Sequence, residues 1–358
     1  MILLSLALAA ILLLLQPAIS LPAPADATTT PGPNPDVTIV TDEADAALAI
    51  LDRIRAGKAV RDEDWRTLRE SEGYRRLRKR EEAMGRRFSD SIFVAFLHAD
   101  STRALTEDLR RTVRAWKKAD VAAAGRRALA YLPSGARIRA RVYLTIKPWT
   151  NSFVFETNTD PAIFLYVDPE VSAAKLENTV AHELHHIGYS SACAAEADTT
   201  LSPQVATARM WMSAFGEGLA MLAAAGGPDV HPHAVSDSVE RARWDRSMDR
   251  FGDDLHSLET FFLDILEGRA SDPDTVRARA MEFFGVQGPW YTVGYRMAVL
   301  VERTEGRDAL LAVLCDPTKL LEAYNRAARR GSAWATPPLW SDRLLRLLAG
   351  TPATTTPR

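Results

Sequence analysis

Cysteine is scarce in this chain: Cys193 and Cys315 are the only two among 358 residues. A disulfide-dense scaffold is therefore excluded, and neither cysteine has a partner at the spacing of a cysteine zinc site. The two can form one bridge, tying the segment after residue 186 to the C-terminal helices, or stay as two buried thiols. An excess of charge of one sign is also lacking. Lysines and arginines number 44 against 46 acidic residues, a formal net charge of −2. The basic run Arg75-Arg76-Leu77-Arg78-Lys79-Arg80 is set among Glu70, Glu72, Glu81 and Glu82, so it reads as a solvated helix face and no nucleic-acid partner is expected. Long apolar runs are missing except for Ile2 to Leu15, which falls short of the roughly 20 residues a bilayer-spanning helix needs. It has the length of a signal-peptide core, and Ala18-Ile19-Ser20 and Ala23-Pro24-Ala25 offer small-residue cleavage sites. No Lys or Arg precedes the run, which leaves an uncleaved N-terminal anchor as the alternative. No Cys stands at the end of the run, which argues against a lipid anchor at that junction. The expectation is export, periplasmic or extracellular, with membrane contact only if the segment is uncleaved.

What is present divides the chain into a signal peptide or anchor (1–20), a Pro/Ala/Thr tether (21–36), a helical N-terminal lobe (37–132), a second domain (133–348) and a tail (349–358). In the lobe, Thr41 can cap a helix carrying Leu48, Leu51 and Ile54 that stops at Gly57, and Phe93, Phe96 and Leu97 mark another. Strands are expected from about residue 136, at Val142–Ile146 and Ala162–Val167. The fold class is α+β, predominantly helical.

His182-Glu183-Leu184-His185-His186 carries the chemistry. At about 100° per residue, a helix puts His182 and His186 on one face a turn apart, where both imidazoles reach one ion. Leu176, Val180 and Leu184 form an apolar stripe on the same uninterrupted helix, and Asp168-Pro169 gives a boundary before it. Two neutral imidazoles suit Zn²⁺, one per chain, with a third protein ligand and a water that Glu183 can deprotonate as general base. His185 is turned away and reads as a supporting or surface residue. Metzincins are excluded, because Tyr189 and Ala192 stand where that class has its glycine and last histidine. The third ligand is then a downstream carboxylate, Glu196 or Glu217. Glu217 lies in the apolar run Trp211–Leu222, where burying a carboxylate is costly unless a metal neutralises it; Glu196 reads as solvated loop. Gly216 and Gly218 beside it weaken a helix, which points to a close backbone approach.

With this set the chain resembles the gluzincins, zinc peptidases with H-E-x-x-H and a glutamate ligand on a later helix. Trp290-Tyr291-Thr292-Val293-Gly294-Tyr295 resembles the Tyr-x-x-Gly segment of their aminopeptidase branch. The resemblance implies His182, His186 and Glu217 as ligands, Glu183 as base and Tyr291 as oxyanion donor, with Tyr295 as the alternative phenol. It also implies a thermolysin-like zincin core. The amine-anchoring Gly-x-Met-Glu-Asn segment has no counterpart, Phe155-Glu156-Thr157-Asn158 being a distant echo, so aminopeptidase specificity does not carry over. Organisation is closer to uncharacterised families of zinc-dependent peptidases, on Trp65, Gly73-Tyr74, Gly294-Tyr295, Asp316-Pro317 and Tyr324-Asn325, over roughly residues 40–345. The function implied is hydrolysis of a peptide or protein substrate by zinc-activated water. The rival reading is a catalytically silent zinc-binding or membrane-tethered interaction protein that retains the pentad.

Overall fold

The computed structural model describes residues 34–350 other than 86–87, 151, 158, 194–200 and 331–336. The expected signal segment, nearly all of the tether, most of the tail and Glu196 lie outside the described residues. Two compact units divide the chain, one of residues up to Arg126 with Ile138–Ile187, the other of Arg127–Arg137 with Gly188 onwards.

The first unit is built on a four-stranded sheet ordered β1-β2-β4-β3, from β1 (Asp36–Val40), β2 (Arg139–Thr145), β3 (Phe153–Phe155) and β4 (Ala162–Tyr166). β1 and β4 run parallel to β2, and β3 runs antiparallel to β4. The expected strands correspond to β2 and β4; β4 is apolar and buried almost throughout, and β2 is buried from Val142 onward. Tyr143, Phe164 and Phe153 stand opposite one another on three adjacent strands, with stacked rings 4.7 and 4.9 Å apart. Such pairs contribute roughly 0.2–1 kcal/mol each and help fix the register.

Around the sheet come α1 (Asp42–Arg55), α2 (Asp62–Glu70), α3 (Glu72–Ala83), α4 (Asp90–His98), α5 (Asp100–Ala104), α6 (Thr106–Trp116), α7 (Val121–Leu129) and, after β4, α8 (Ala173–Ala192). α1 begins after Thr41 and buries Leu48 and Leu51 as its pattern predicts, with Ala44 and Ala47 beside them, while Ile54 is only half-buried. Thr41 does not cap it by side chain; its hydroxyl donates to Asp45 instead. One expectation needs correcting. The basic run on α3 is only half solvated, because Arg76 and Arg80 are buried. Arg76 donates to Tyr143 Oη at 3.2 Å, Asp160 Oδ2 at 3.0 Å and Glu156 Oε2 at 2.6 Å. Arg80 pairs with Glu81 at 2.6 Å and lies 4.0 Å from the Phe153 ring centroid. Burying a guanidinium is tolerable when carboxylates neutralise it and its flat face covers an aromatic ring. Periodicity alone does not reveal that.

The second unit is helical among its described residues: α9 (Pro203–Met212), a 3-10 turn Ser213–Phe215, α10 (Gly216–Ala225), α11 (Ser238–Asp249), α12 (Phe251–Leu266), α13 (Pro273–Glu282), α14 (Pro289–Glu305), α15 (Arg307–Val313), α16 (Pro317–Arg329) and α17 (Asp342–Leu348). Its core is aromatic: the rings of Phe215, Phe262 and Trp340 lie 5.3, 5.9 and 6.4 Å apart from a neighbour in a cluster with Trp290. Cys193 and Cys315 form a disulfide, which decides between the two states open to them. Helix predominates over a small mixed sheet, an α+β chain as expected. No helix among the described residues is long and apolar enough to cross a membrane.

Glu43, at the start of α1, is fully buried; its Oε2 accepts from Ile146 N at 2.8 Å and its Oε1 has no hydrogen-bond partner among the described residues. Burial pushes its carboxyl from 4.5 up to about 8, against the pull of the Ile146 bond and of Lys147. Since the folded pKa is the higher one, folding holds a proton that the unfolded chain releases, and stability falls as pH rises from about 4.5 to 8. Denaturant titrations at pH 5 and pH 8 should show this loss, at most about 1.4 kcal/mol per pH unit, and Glu43→Gln should flatten it. The disulfide spans 122 residues, so Cys193→Ser with Cys315→Ser should cost about 2–5 kcal/mol. An unchanged denaturation midpoint would remove any stabilising role for the bridge.

Candidate metal centre

Residues 173–187 contain neither Gly nor Pro, and Ser172 caps α8 by accepting from Lys175 N at 3.1 Å. Leu176, Val180 and Leu184 are buried along one side, which fixes the rotation of the helix. His182 and His186 then fall one turn apart, with their Nε2 atoms 3.1 Å apart and their rings at 78°. Two ligands about 2.0 Å from a tetrahedral ion stand about 3.3 Å from each other, so the pair has the separation of neighbouring ligands. Glu183 is 4% exposed beside them. His185 is fully buried, so of the two roles open to it the surface one is excluded.

Glu217, in the first turn of α10, is 2% exposed on a helix buried from Glu217 to Ala224. One ligand atom from each of His182, His186 and Glu217 lies within 4.8 Å of the others, the one group among the described residues able to hold a metal ion. Two imidazole nitrogens and a carboxylate oxygen form a donor set that fits zinc and leaves a fourth position for water or substrate.

The remaining motif residues are placed as follows. Tyr291 is 4% exposed in the first turn of α14. Tyr295 Oη donates to Val230 O at 3.4 Å with its ring edge-on to Trp244, and burial pushes its phenol up to about 12. Gly218 and Gly294 are where α10 and α14 approach. Asp316 caps α16 by accepting from Thr318 N at 3.0 Å. Tyr324 Oη donates to Pro338 O at 2.7 Å, while Asn325 exchanges two hydrogen bonds with the backbone of Trp340. In the first unit, Tyr74 Oη donates to Asp90 Oδ1 at 2.8 Å, and a Cβ at Gly73 would touch Asp42 and Glu43. These residues hold the fold and lie outside the group able to hold a metal ion.

Sequence reading missed the buried Glu43 and Lys147, and the crossing at Gly294. A glycine mid-helix in an apolar stretch was the available signal for the last of these. No curated protein and no solved structure matches the chain. A family model described as "Putative zinc dependent peptidase (DUF5700)" matches residues 58–333, and the chain belongs to that family.

Proposed function

We propose that the chain is an exported zinc metallopeptidase acting on a peptide or protein substrate. The observation that carries this reading is the convergence of His182, His186 and Glu217 at ligand distance, with Glu183 next to His182 on the same helix. Zinc, when bound, would supply Lewis acidity to a carbonyl and to water. His182 and His186 would hold it from one helix face, and Glu217 would contribute one negative charge. Glu183, beside the ligand row, takes a proton from the attacking water and delivers it to the departing amine nitrogen. Tyr291 donates a hydrogen bond to the substrate carbonyl oxygen as that atom gains negative charge. Tyr295 is less suited, since its hydroxyl already serves the Val230 carbonyl. A strand-rich segment leading into α8 is in keeping with a thermolysin-like core. Export is supported by the Cys193–Cys315 disulfide, which belongs to an oxidising compartment.

Elemental analysis should find about one zinc per chain, and His182→Ala, His186→Ala or Glu217→Ala should each strip most of it. Zinc retained in all three would remove the proposed centre. Glu183→Gln should keep zinc and fold while lowering kcat on a general peptide substrate by about 10²–10⁴-fold with KM little changed. Tyr291→Phe should cost less, about 2.7–4 kcal/mol at most. A zinc-loaded parent with no activity on peptides would favour the silent binding protein.

A further inference from the structure

The two glycines that flank Glu217 differ in what surrounds them. A Cβ built at Gly216 meets nothing within 4 Å. One built at Gly218 would lie 2.0 Å from Tyr295 N, 2.4 Å from Gly294 C and 2.6 Å from Tyr291 O. From the other side, a Cβ at Gly294 would lie 2.5 Å from Phe215 O. All of these obstacles are backbone atoms of α14 or of the turn that opens α10, so no side chain can rotate to make room. The crossing therefore needs glycine on both helices, one residue from Glu217 on α10 and three from Tyr291 on α14.

Resting on the reading of Glu217 as a zinc ligand, we infer that Gly218 and Gly294 are positioning residues: their backbone-to-backbone crossing sets where the Glu217 carboxylate stands relative to Tyr291. The magnitudes support a positional role. Relieving a contact of this kind takes a shift of roughly 1 Å or more between the helices, because close-packed interiors do not compress. Zinc sites tolerate about 0.2 Å in ligand distance, and a misplacement of about 1 Å can cost roughly 10²-fold in rate. A methyl group at Gly218 thus exceeds the tolerance of the centre, whereas the same methyl at Gly216, on the other side of the same carboxylate, does not.

The test compares Gly218→Ala, Gly294→Ala and Gly216→Ala. Zinc affinity is measured by competition with a chromophoric chelator, and ligand geometry is read from the visible absorption of the Co²⁺-loaded proteins. The zinc-induced rise in thermal midpoint separates weakened metal binding from weakened packing. Gly218→Ala and Gly294→Ala should bind zinc at least tenfold more weakly, with an altered cobalt spectrum and a smaller zinc-induced rise. Gly216→Ala should match the parent in all three. A folded Gly218→Ala or Gly294→Ala with parental zinc affinity and cobalt spectrum overturns the assignment while leaving the zinc-peptidase reading intact. Failure of both variants to fold at any temperature also counts against it, since the crossing would then be holding the unit together and not placing one side chain. A parent protein that binds no zinc removes the earlier reading and this one with it.

Discussion

A carboxylate taken out of water loses hydration worth several kcal/mol unless something of opposite charge replaces it. Glu217 sits on α10 among Leu219, Ala220, Met221, Leu222, Ala223 and Ala224, all of them buried. A divalent cation held with two imidazoles is one group that would supply such a charge. Around it, α10 is apolar and buried from Leu219 to Ala224, and α14 comes close enough to need glycines on both helices. Behind the turn that opens α10, Phe215 rests on Trp290 and Trp340, with ring centroids 5.3 and 5.9 Å away. Trp340 is held in turn by Asn325 through both its N–H and its carbonyl. Glu217 is therefore backed by packing that reaches the last helices.

Two kinds of motif residue are separated here. His182, His186 and Glu217 could hold a metal ion, whereas Asp316-Pro317 starts a helix and Tyr324-Asn325 fastens a later segment by its backbone. Gly294-Tyr295 has two uses, a close helix crossing and a hydroxyl tied to the Val230 carbonyl. The same division holds in the first unit, where Gly73 admits α1 and Tyr74 reaches Asp90. Supporting positions of this type keep a site's geometry steady without touching a reacting atom.

The legible parts of the sequence were those governed by local period. Helix α8 was readable because its apolar residues recur each turn, and β2 and β4 because Val142–Ile146 and Ala162–Val167 are rich in β-branched and aromatic residues. β1 and β3 were not anticipated: β3 is three residues long, and β1 follows a Pro- and Thr-rich stretch that masks its alternation. Burial of Arg76 and Arg80 was illegible because their partners, Glu156, Asp160 and the Phe153 ring, lie some seventy to eighty residues onward in the chain. Glu217 was readable for the opposite reason, since a lone acid in an apolar helix is out of place by local rules alone. Glu43 had no such flag, because Asp42 and Asp45 beside it make the start of α1 look like an ordinary acidic first turn.

The disulfide also constrains the order of events during synthesis. Cys193 is made 122 residues before Cys315, a delay of roughly 6–25 s at the usual 5–20 residues per second. Throughout that interval Glu217 and Tyr291 are being added while the thiol waits. In a chain with more cysteines such a wait would invite wrong pairings and a need for reshuffling. Here the only intramolecular pairing available is the native one, so closing the bridge requires an oxidant but no isomerase.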